Sequence, residues 1–254
     1  MPRAVIHTFY QRLYETFGPQ HWWPGETPFE VIIGAILTQN TNWRNVERAL
    51  TNLKNHKALT PRALRRMPAG DLAALIRPAG YFNVKARRVK NFIDYLYNNY
   101  NGDLEGMAAV PTRELRAEIL TVNGIGPETA DSILLYAFDR PVFVIDAYTK
   151  RLLYRHGLID RDTDYAAMQA LFVRHLDEDR QLFNEYHALI VRIGKDFCKP
   201  VPRCEQCPLN GIAYSLRDRC ERCFRVLQNA GQRGKRSQGG SVCGGCQVPG
   251  ASSR

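Results

Sequence analysis

The chain has 254 residues, 44% of them hydrophobic, enough for one large domain or two small ones with a real core. Its 35 lysines and arginines against 25 acidic residues leave a net charge of +10, which points to a polyanionic partner. No run of about 18 apolar residues is present, which excludes a helical membrane span. Met1-Pro2-Arg3-Ala4 leads into an amphipathic pattern with no secretory apolar stretch, so a cytoplasmic protein with reduced cysteines is expected.

Val5, Ile6, Phe9, Leu13 and Phe17 recur at helical spacing and predict an opening helix closed by Gly18-Pro19. His21-Trp22-Trp23-Pro24-Gly25 follows as an aromatic loop. Thr27-Pro28-Phe29-Glu30 has the pattern of a capping box, and the helix behind it, Phe29 to about Leu37, is apolar on every side and so buried. Trp43, Val46, Leu50 and Leu53 form one stripe. Thr60-Pro61 starts another helix, and Asp71 caps a short one ending near Pro78. Asn83–Tyr97 predicts a helix whose exposed face carries Lys85, Arg87, Arg88 and Lys90, and Thr112 caps a helix with Leu115 and Ile119. Pro141–Ile145 is the one short β-like run and has no evident partner. Ala147–Arg155, Tyr165–Leu176 and Leu182–Lys195 are predicted helices. The reading is an all-α chain of about ten helices.

Leu120-Thr121-Val122-Asn123-Gly124-Ile125-Gly126-Pro127-Glu128-Thr129-Ala130 places a helix end, a glycine turn and a proline-started helix in succession. Exposed amides at such a turn make an anion site, for which a DNA phosphate is the natural occupant. The turn is followed by Val144-Ile145-Asp146-Ala147-Tyr148 and preceded by Leu37-Thr38-Gln39-Asn40-Thr41 and Gly80-Tyr81-Phe82-Asn83-Val84-Lys85-Ala86. With the cysteines from Cys198, these pieces resemble the helix-hairpin-helix DNA glycosylases of the endonuclease III superfamily over roughly residues 5–210. The resemblance implies a two-lobed fold. Residues 22–139 would form a six-helix lobe with the hairpin, residues 1–21 plus 140–215 a second helical lobe with the cysteine loop, and 216–254 a flexible or zinc-binding tail. DNA would run between the lobes with Asp146 at the base of the cleft. It also implies a nucleoid-associated monomer that binds double-stranded DNA with a damaged base, through Gln39, Asn40, Gly124, Ile125, Gly126, Thr129, Lys85 and Arg87.

On local sequence Asp146 is either a helix N-cap or a working acid. The resemblance puts the family's essential aspartate here. A fixed carboxylate there would stabilise the cationic sugar formed as an N-glycosidic bond breaks, and orient the attacking water. Bifunctional relatives carry a nucleophilic lysine at the position of Glu128, and a carboxylate cannot form a Schiff base, so a monofunctional enzyme is expected. Lys150, at i+4 from Asp146, is either a substitute for that lysine or, as is favoured here, an ion-pairing or phosphate-binding residue. Lys195 is either a match to a lysine near the pocket in one branch of the family or, as is commoner, a surface lysine. The rival readings are a lyase of the endonuclease III kind acting on oxidised pyrimidines and a non-catalytic hairpin DNA-binding protein.

Extruding a base leaves a hole and needs a pocket. Gln39 is either the residue that fills the hole or a hydrogen-bonding residue of the interior. Trp22, Trp23 and Trp43 are the three tryptophans of the chain. They are candidates for a pocket suited to a cationic alkylated purine, with core packing as the alternative for at least one. Trp22-Trp23-Pro24, Gln39–Trp43 and the non-lysine hairpin look most like the bacterial 3-methyladenine glycosylase branch, with Glu128 at the edge of the pocket.

All seven cysteines follow residue 197. The family's [4Fe–4S] loop uses the spacing C-x6-C-x2-C-x5-C. Here Cys198-x5-Cys204-x2-Cys207 supplies three ligands, no cysteine stands at the expected fourth place near Ala213, and Cys220 would close the set through a longer loop. Cys220, Cys223, Cys243 and Cys246 alternatively form two C-x2-C knuckles suited to zinc. Gly231–Ser241 has little to bury, which favours a flexible tail.

Overall fold

The computed structural model describes residues 2–22 and 25–212. Among them there is no strand. The helices are α1 (Pro2–Phe17), α2 (Pro28–Thr38), α3 (Trp43–Asn55), α4 (Pro61–Arg66), α5 (Ala69–Leu75), α6 (Phe82–Tyr100), α7 (Leu104–Ala108), α8 (Thr112–Thr121), α9 (Pro127–Ala137), α10 (Ala147–Arg155), α11 (Tyr165–Val173) and α12 (Arg180–Asp196). None is long and apolar enough to cross a membrane.

Short polar side chains start at least half of these helices. Thr27, Asn42, Thr60, Asp103, Asp146 and Asp164 each accept a hydrogen bond from a backbone amide of the first turn. Each such cap contributes about 1 kcal/mol. Glu30 answers Thr27, but its carboxylate accepts from the amide of Glu26, one residue outside the expected box. Asp71 and Thr112 do not cap: each lies inside a first turn, and Pro68 and Pro111 hold the cap positions with ring-fixed φ and extended ψ. The helix expected to reach Leu176 stops at Val173, and the last one starts at Arg180. Pro141–Ile145 forms no strand. Its Phe143, Val144 and Ile145 are buried instead, and the Ile145 amide donates to the Tyr165 hydroxyl.

The chain divides into two compact units. One comprises residues 21–144 with Glu178–Asn184. At its centre α2 is buried from Phe29 to Leu37, as a helix apolar on every side requires. Leu50 and Leu53 of α3, Phe92 and Leu96 of α6, and Ile133 and Leu134 of α9 belong to the same core. Arg116 of α8 makes a two-pronged ion pair with the fully buried Asp131 of α9, 2.6 Å from Nε to Oδ1 and 3.1 Å from Nη2 to Oδ2. This pair ties together the two helices that flank the glycine turn. Removing its arginine would strand a buried charge at a cost of about 3 kcal/mol.

The other unit comprises Met1–Gln20, Ile145–Asp177 and the chain from Glu185. Its core gathers Ile6, Phe9, Leu152, Phe172, Tyr186 and Leu189. Tyr186 is buried whole, and its hydroxyl donates to the Ile6 carbonyl at 2.8 Å. Burial of that phenol pushes its pKa well up, so it stays a neutral donor.

Candidate active site

The glycine turn joins α8 to α9. Gly124 has φ of 94°, and a Cβ there would lie 2.4 Å from Arg88 Cγ, so both backbone and packing demand glycine. Gly126 differs. Its φ is −97° and a Cβ would meet no protein atom within 4 Å, so nothing in the fold requires a glycine there. Gly126 is also the N-cap of α9, and no side chain caps that end. Uncapped amides at a helix start beside open space make a place where an oxyanion can approach backbone closely. Ile125 and Thr129 bury their side chains, so any contact they make with DNA runs through main chain.

Gln39 follows α2, and its carboxamide is wired into this turn. Nε2 donates to the Gly124 carbonyl at 3.0 Å and to Thr129 Oγ1 at 2.9 Å, while Oε1 accepts from Arg88. The hydrogen-bonding role expected as one alternative for Gln39 is therefore realised in this state. Asn40 is exposed and in the left-handed region, with φ of 54°.

Lys85 corrects an expectation. It is 1% exposed, not on the outer face of α6, and Nζ donates to the carbonyls of Leu37 and Ala79 at 2.8 and 2.7 Å. Burial lowers its pKa to about 8, with the Arg88 charge adding to the effect. Its work is to cap the end of α2 just before Gln39, and it cannot reach a phosphate. Lys90 likewise spends its ammonium on the carbonyls of Leu64, Arg65 and Met67. Arg87 is exposed, as expected. Sequence reading passed over Tyr81, which is 73% exposed in the left-handed region at the start of α6. An aromatic held outward in a conformation costly for a non-glycine residue is a signal that only the structure gives.

Asp146 lies in the other unit. Its Oδ1 accepts from Thr149 N at 2.7 Å and Thr149 Oγ1 at 2.8 Å, so it is the N-cap of α10. Oδ2 faces His187 Nε2 of α12 at 3.6 Å, and the two side chains are 11% and 6% exposed. At that distance the contact is longer than a well-formed hydrogen bond. Burial pushes the Asp146 carboxyl up, but His187 and the two Thr149 donors more than offset it and hold the group below the usual carboxylate range. The site thus keeps an ionised carboxylate in a nearly dry setting.

Two features bring α10 and α12 together. Gly194 lies two turns beyond His187, and a Cβ on it would stand 2.3 Å from the Tyr148 ring. Arg151 donates to the carbonyls of Gly194 and Cys198. Arg155, one turn on, reaches Cys198 Sγ at 3.3 Å and the carbonyls of Lys199 and Pro200. The helix that Asp146 starts is therefore fastened along its length to the cysteine loop.

Cys198, Cys204 and Cys207 line one cavity of about 90 Å³ with Leu152, Arg155 and His156. Burial raises the Cys207 thiol to about 11, and the neighbouring Cys198 and Cys204 add to the shift. The three cysteines line this one space, and thiolates are the ligands an iron–sulfur cluster takes. Among the described residues no three metal-ligating groups are yet close enough to form a preassembled site. Cys220 and the zinc candidates Cys223, Cys243 and Cys246 lie outside the described residues.

Of the tryptophans, Trp22 and Trp43 meet with ring centroids 6.4 Å apart and planes tilted by 51°. They pack on each other and do not stand as parallel walls with a gap for a base. The Trp43 indole donates to Glu47 at 2.8 Å, and its ring lies partly against the core. Trp23 lies outside the described residues. Glu128 is exposed on the first turn of α9.

Residues 33–176 match the family described as HhH-GPD superfamily base excision DNA repair protein. The chain belongs to that family. It is a base excision repair DNA glycosylase with the endonuclease III fold. A protein of Methanocaldococcus jannaschii assigned as a DNA repair glycosylase is 46% identical over 213 residues, covering 83% of this chain and 96% of that one. Endonuclease III of Thermotoga maritima is 31% identical over 193 residues, or 76% of this chain and 85% of its own. The crystal structure of Helicobacter pylori 3-methyladenine DNA glycosylase bound to 1,N6-ethenoadenine superposes with a TM-score of 0.63 at 27% identity. It covers 76% of this chain and 97% of that one.

Proposed function

We propose that this glycosylase is monofunctional: it extrudes an alkylated purine from duplex DNA and hydrolyses its N-glycosidic bond with water, leaving the strand intact. The observation that carries the reading is Glu128. It stands on the exposed first turn of α9, where lyase relatives place their attacking lysine, and a carboxylate offers no amine to the sugar. Asp146 is the working acid. Held ionised and nearly buried, its carboxylate stabilises positive charge growing on the sugar and orients the attacking water.

The hairpin amides at Gly124–Gly126 and the start of α9 hold a phosphate. Asn40, Arg87 and the exposed ring of Tyr81 add contacts to the DNA, and Gln39 fills the space left by the extruded base after leaving its bonds to the turn. Trp22, Trp23 and Trp43 supply the aromatic face for the base. The likeness to a 3-methyladenine glycosylase supports this preference for alkylated purines. A [4Fe–4S] cluster held by Cys198, Cys204, Cys207 and Cys220 would brace the loop carrying Lys199 and Arg203, which contact the DNA backbone.

A second reading is an endonuclease III-like enzyme acting on oxidised pyrimidines. It is favoured by the Thermotoga relative and by the tilted, mutually packed tryptophans, which are not a ready-made slot for a base. One experiment separates the two. Duplexes carrying 1,N6-ethenoadenine or thymine glycol, and duplex treated with dimethyl sulfate, are incubated with the enzyme and resolved with and without alkali, with borohydride trapping in parallel. Release of the alkylated purine, strand breaks only after alkali and no trapped adduct are expected. Direct nicking of the thymine glycol duplex with a borohydride-trapped complex would replace the first reading with the second.

A further inference from the structure

The interior of the unit that carries Asp146 holds one imidazole whose place the fold alone does not explain. His187 is 5% exposed on α12, between the buried Tyr186 and Ala188, and Nε2 is turned to Asp146 Oδ2 at 3.6 Å. A residue needed only to fill this space would be apolar, because an imidazole in a dry core carries a desolvation cost that leucine or phenylalanine does not. The two oxygens of Asp146 are also held differently. Oδ1 is fixed by both donors of Thr149, which belong to the same helix start. Oδ2 has His187 as its neighbour from outside that helix, and the distance leaves room for the oxygen to act on something else.

We propose that His187 is a positioning residue for the working carboxylate: an N–H on Nε2, turned to Oδ2, limits the swing of Asp146 and keeps Oδ2 aimed while the sugar becomes cationic. This rests on the reading of Asp146 as the working acid. The His187 ring takes no part in bond breaking. Its effect runs through the orientation of Asp146. Rotation of a carboxylate about its Cβ–Cγ bond swings both oxygens together, so a partner on Oδ2 adds to the Thr149 bonds on Oδ1 in holding the plane. A misplacement of about an ångström can cost about a hundredfold in rate. The close approach of α10 and α12 at Tyr148 and Gly194, with Arg151 bonded to the Gly194 carbonyl, sets the spacing that makes the contact possible.

The test uses the full chain and the variants His187→Phe, His187→Gln and Asp146→Asn. Single-turnover base release is measured on whichever duplex of the panel above is processed fastest. Affinity for undamaged duplex and thermal stability are measured alongside. Phe fills the space and removes the N–H, and its release rate should fall by about tenfold or more with affinity unchanged. Gln keeps a donor of similar reach and should recover part of the rate, even if it folds less stably. A wild-type rate in His187→Phe, or a loss that follows stability equally in the Phe and Gln variants, would overturn the proposal and leave His187 as packing. Asp146→Asn keeps the two failures apart: undiminished release in that variant removes the working-acid reading itself, whereas its loss alongside normal release in His187→Phe removes only the positioning role.

Discussion

Between Thr121 and Pro127 the chain holds its working groups with main chain; around Asp146 it uses side chains brought from far apart in sequence. The turn needs a positive φ at Gly124, an open edge at Gly126 and an uncapped start to α9, all within a few residues. The acid corner needs Thr149 from the next turn, His187 from α12, and the Gly194–Tyr148 approach that sets the helices at the right distance. The first arrangement suits a ligand met everywhere along DNA, a phosphate, since backbone amides carry no sequence information. The second suits one chemical event, because a charge in a nearly dry setting must be held by a particular partner. Substitutions should therefore separate grip from chemistry.

The largest expected effect is Asp146→Asn. Asparagine caps a helix about as well as aspartate, so the Thr149 bonds and the stability of α10 should survive. Base release should fall by at least about a hundredfold, with affinity for undamaged duplex retained. Equal loss of binding and release would make Asp146 a structural cap. The direction of its pKa adds a second handle. The folded carboxyl lies below the usual range, so its stabilising contribution is complete above the unfolded value and is lost as pH falls through the depressed folded value. Single-turnover release should accordingly hold its rate through the ordinary carboxylate range and decline only below it. A midpoint within or above that range would contradict the ionised, partnered acid.

The same contrast explains what could be read in the chain beforehand. The hairpin was legible because its determinants are neighbours: a helix end, two glycines and a proline-started helix have a local spelling. The all-helical fold followed from apolar periodicity, as did the burial of Phe29–Leu37. Asp146 was legible as a cap or an acid, and it is a cap whose second oxygen meets a histidine. His187 itself was not legible: it lies 41 positions on (187 − 146), inside an unremarkable amphipathic helix. Lys85 was misread for a related reason. Three basic neighbours suggested an outer face, but the carbonyls of Leu37 and Ala79 needed a buried donor, and only tertiary packing reveals that demand.

The two glycines sharpen the comparison within the hairpin. Gly124→Ala forces a side chain into the left-handed region and against Arg88, and should lower stability and DNA affinity together. Gly126→Ala meets no protein atom and has an ordinary φ, so its thermal stability should match the parent. If a phosphate approaches there, its affinity for undamaged duplex should still drop several-fold, because the new methyl group occupies the ligand's space. Calorimetry and binding anisotropy on the same pair read both quantities. Unchanged affinity in Gly126→Ala would move the phosphate site away from this turn.

The smallest expected effect concerns two basic residues of α6 that are neighbours in sequence and opposite in setting. Arg87 is exposed and Lys85 is 1% exposed with both of its carbonyl partners inside the protein. A residue that touches a phosphate releases counterions on binding, so Arg87→Gln should weaken affinity modestly and reduce the slope of log affinity against log salt by about 0.9. Lys85→Met should leave that slope unchanged while disturbing the end of α2 and the Gln39 bonds that follow it. Its penalty then belongs to stability and base release, not to electrostatic binding. If Lys85→Met flattened the salt dependence and Arg87→Gln did not, the buried lysine would have to leave its carbonyls to meet DNA. The division between a backbone grip on one side and side-chain positioning on the other would then fail at its most exposed point.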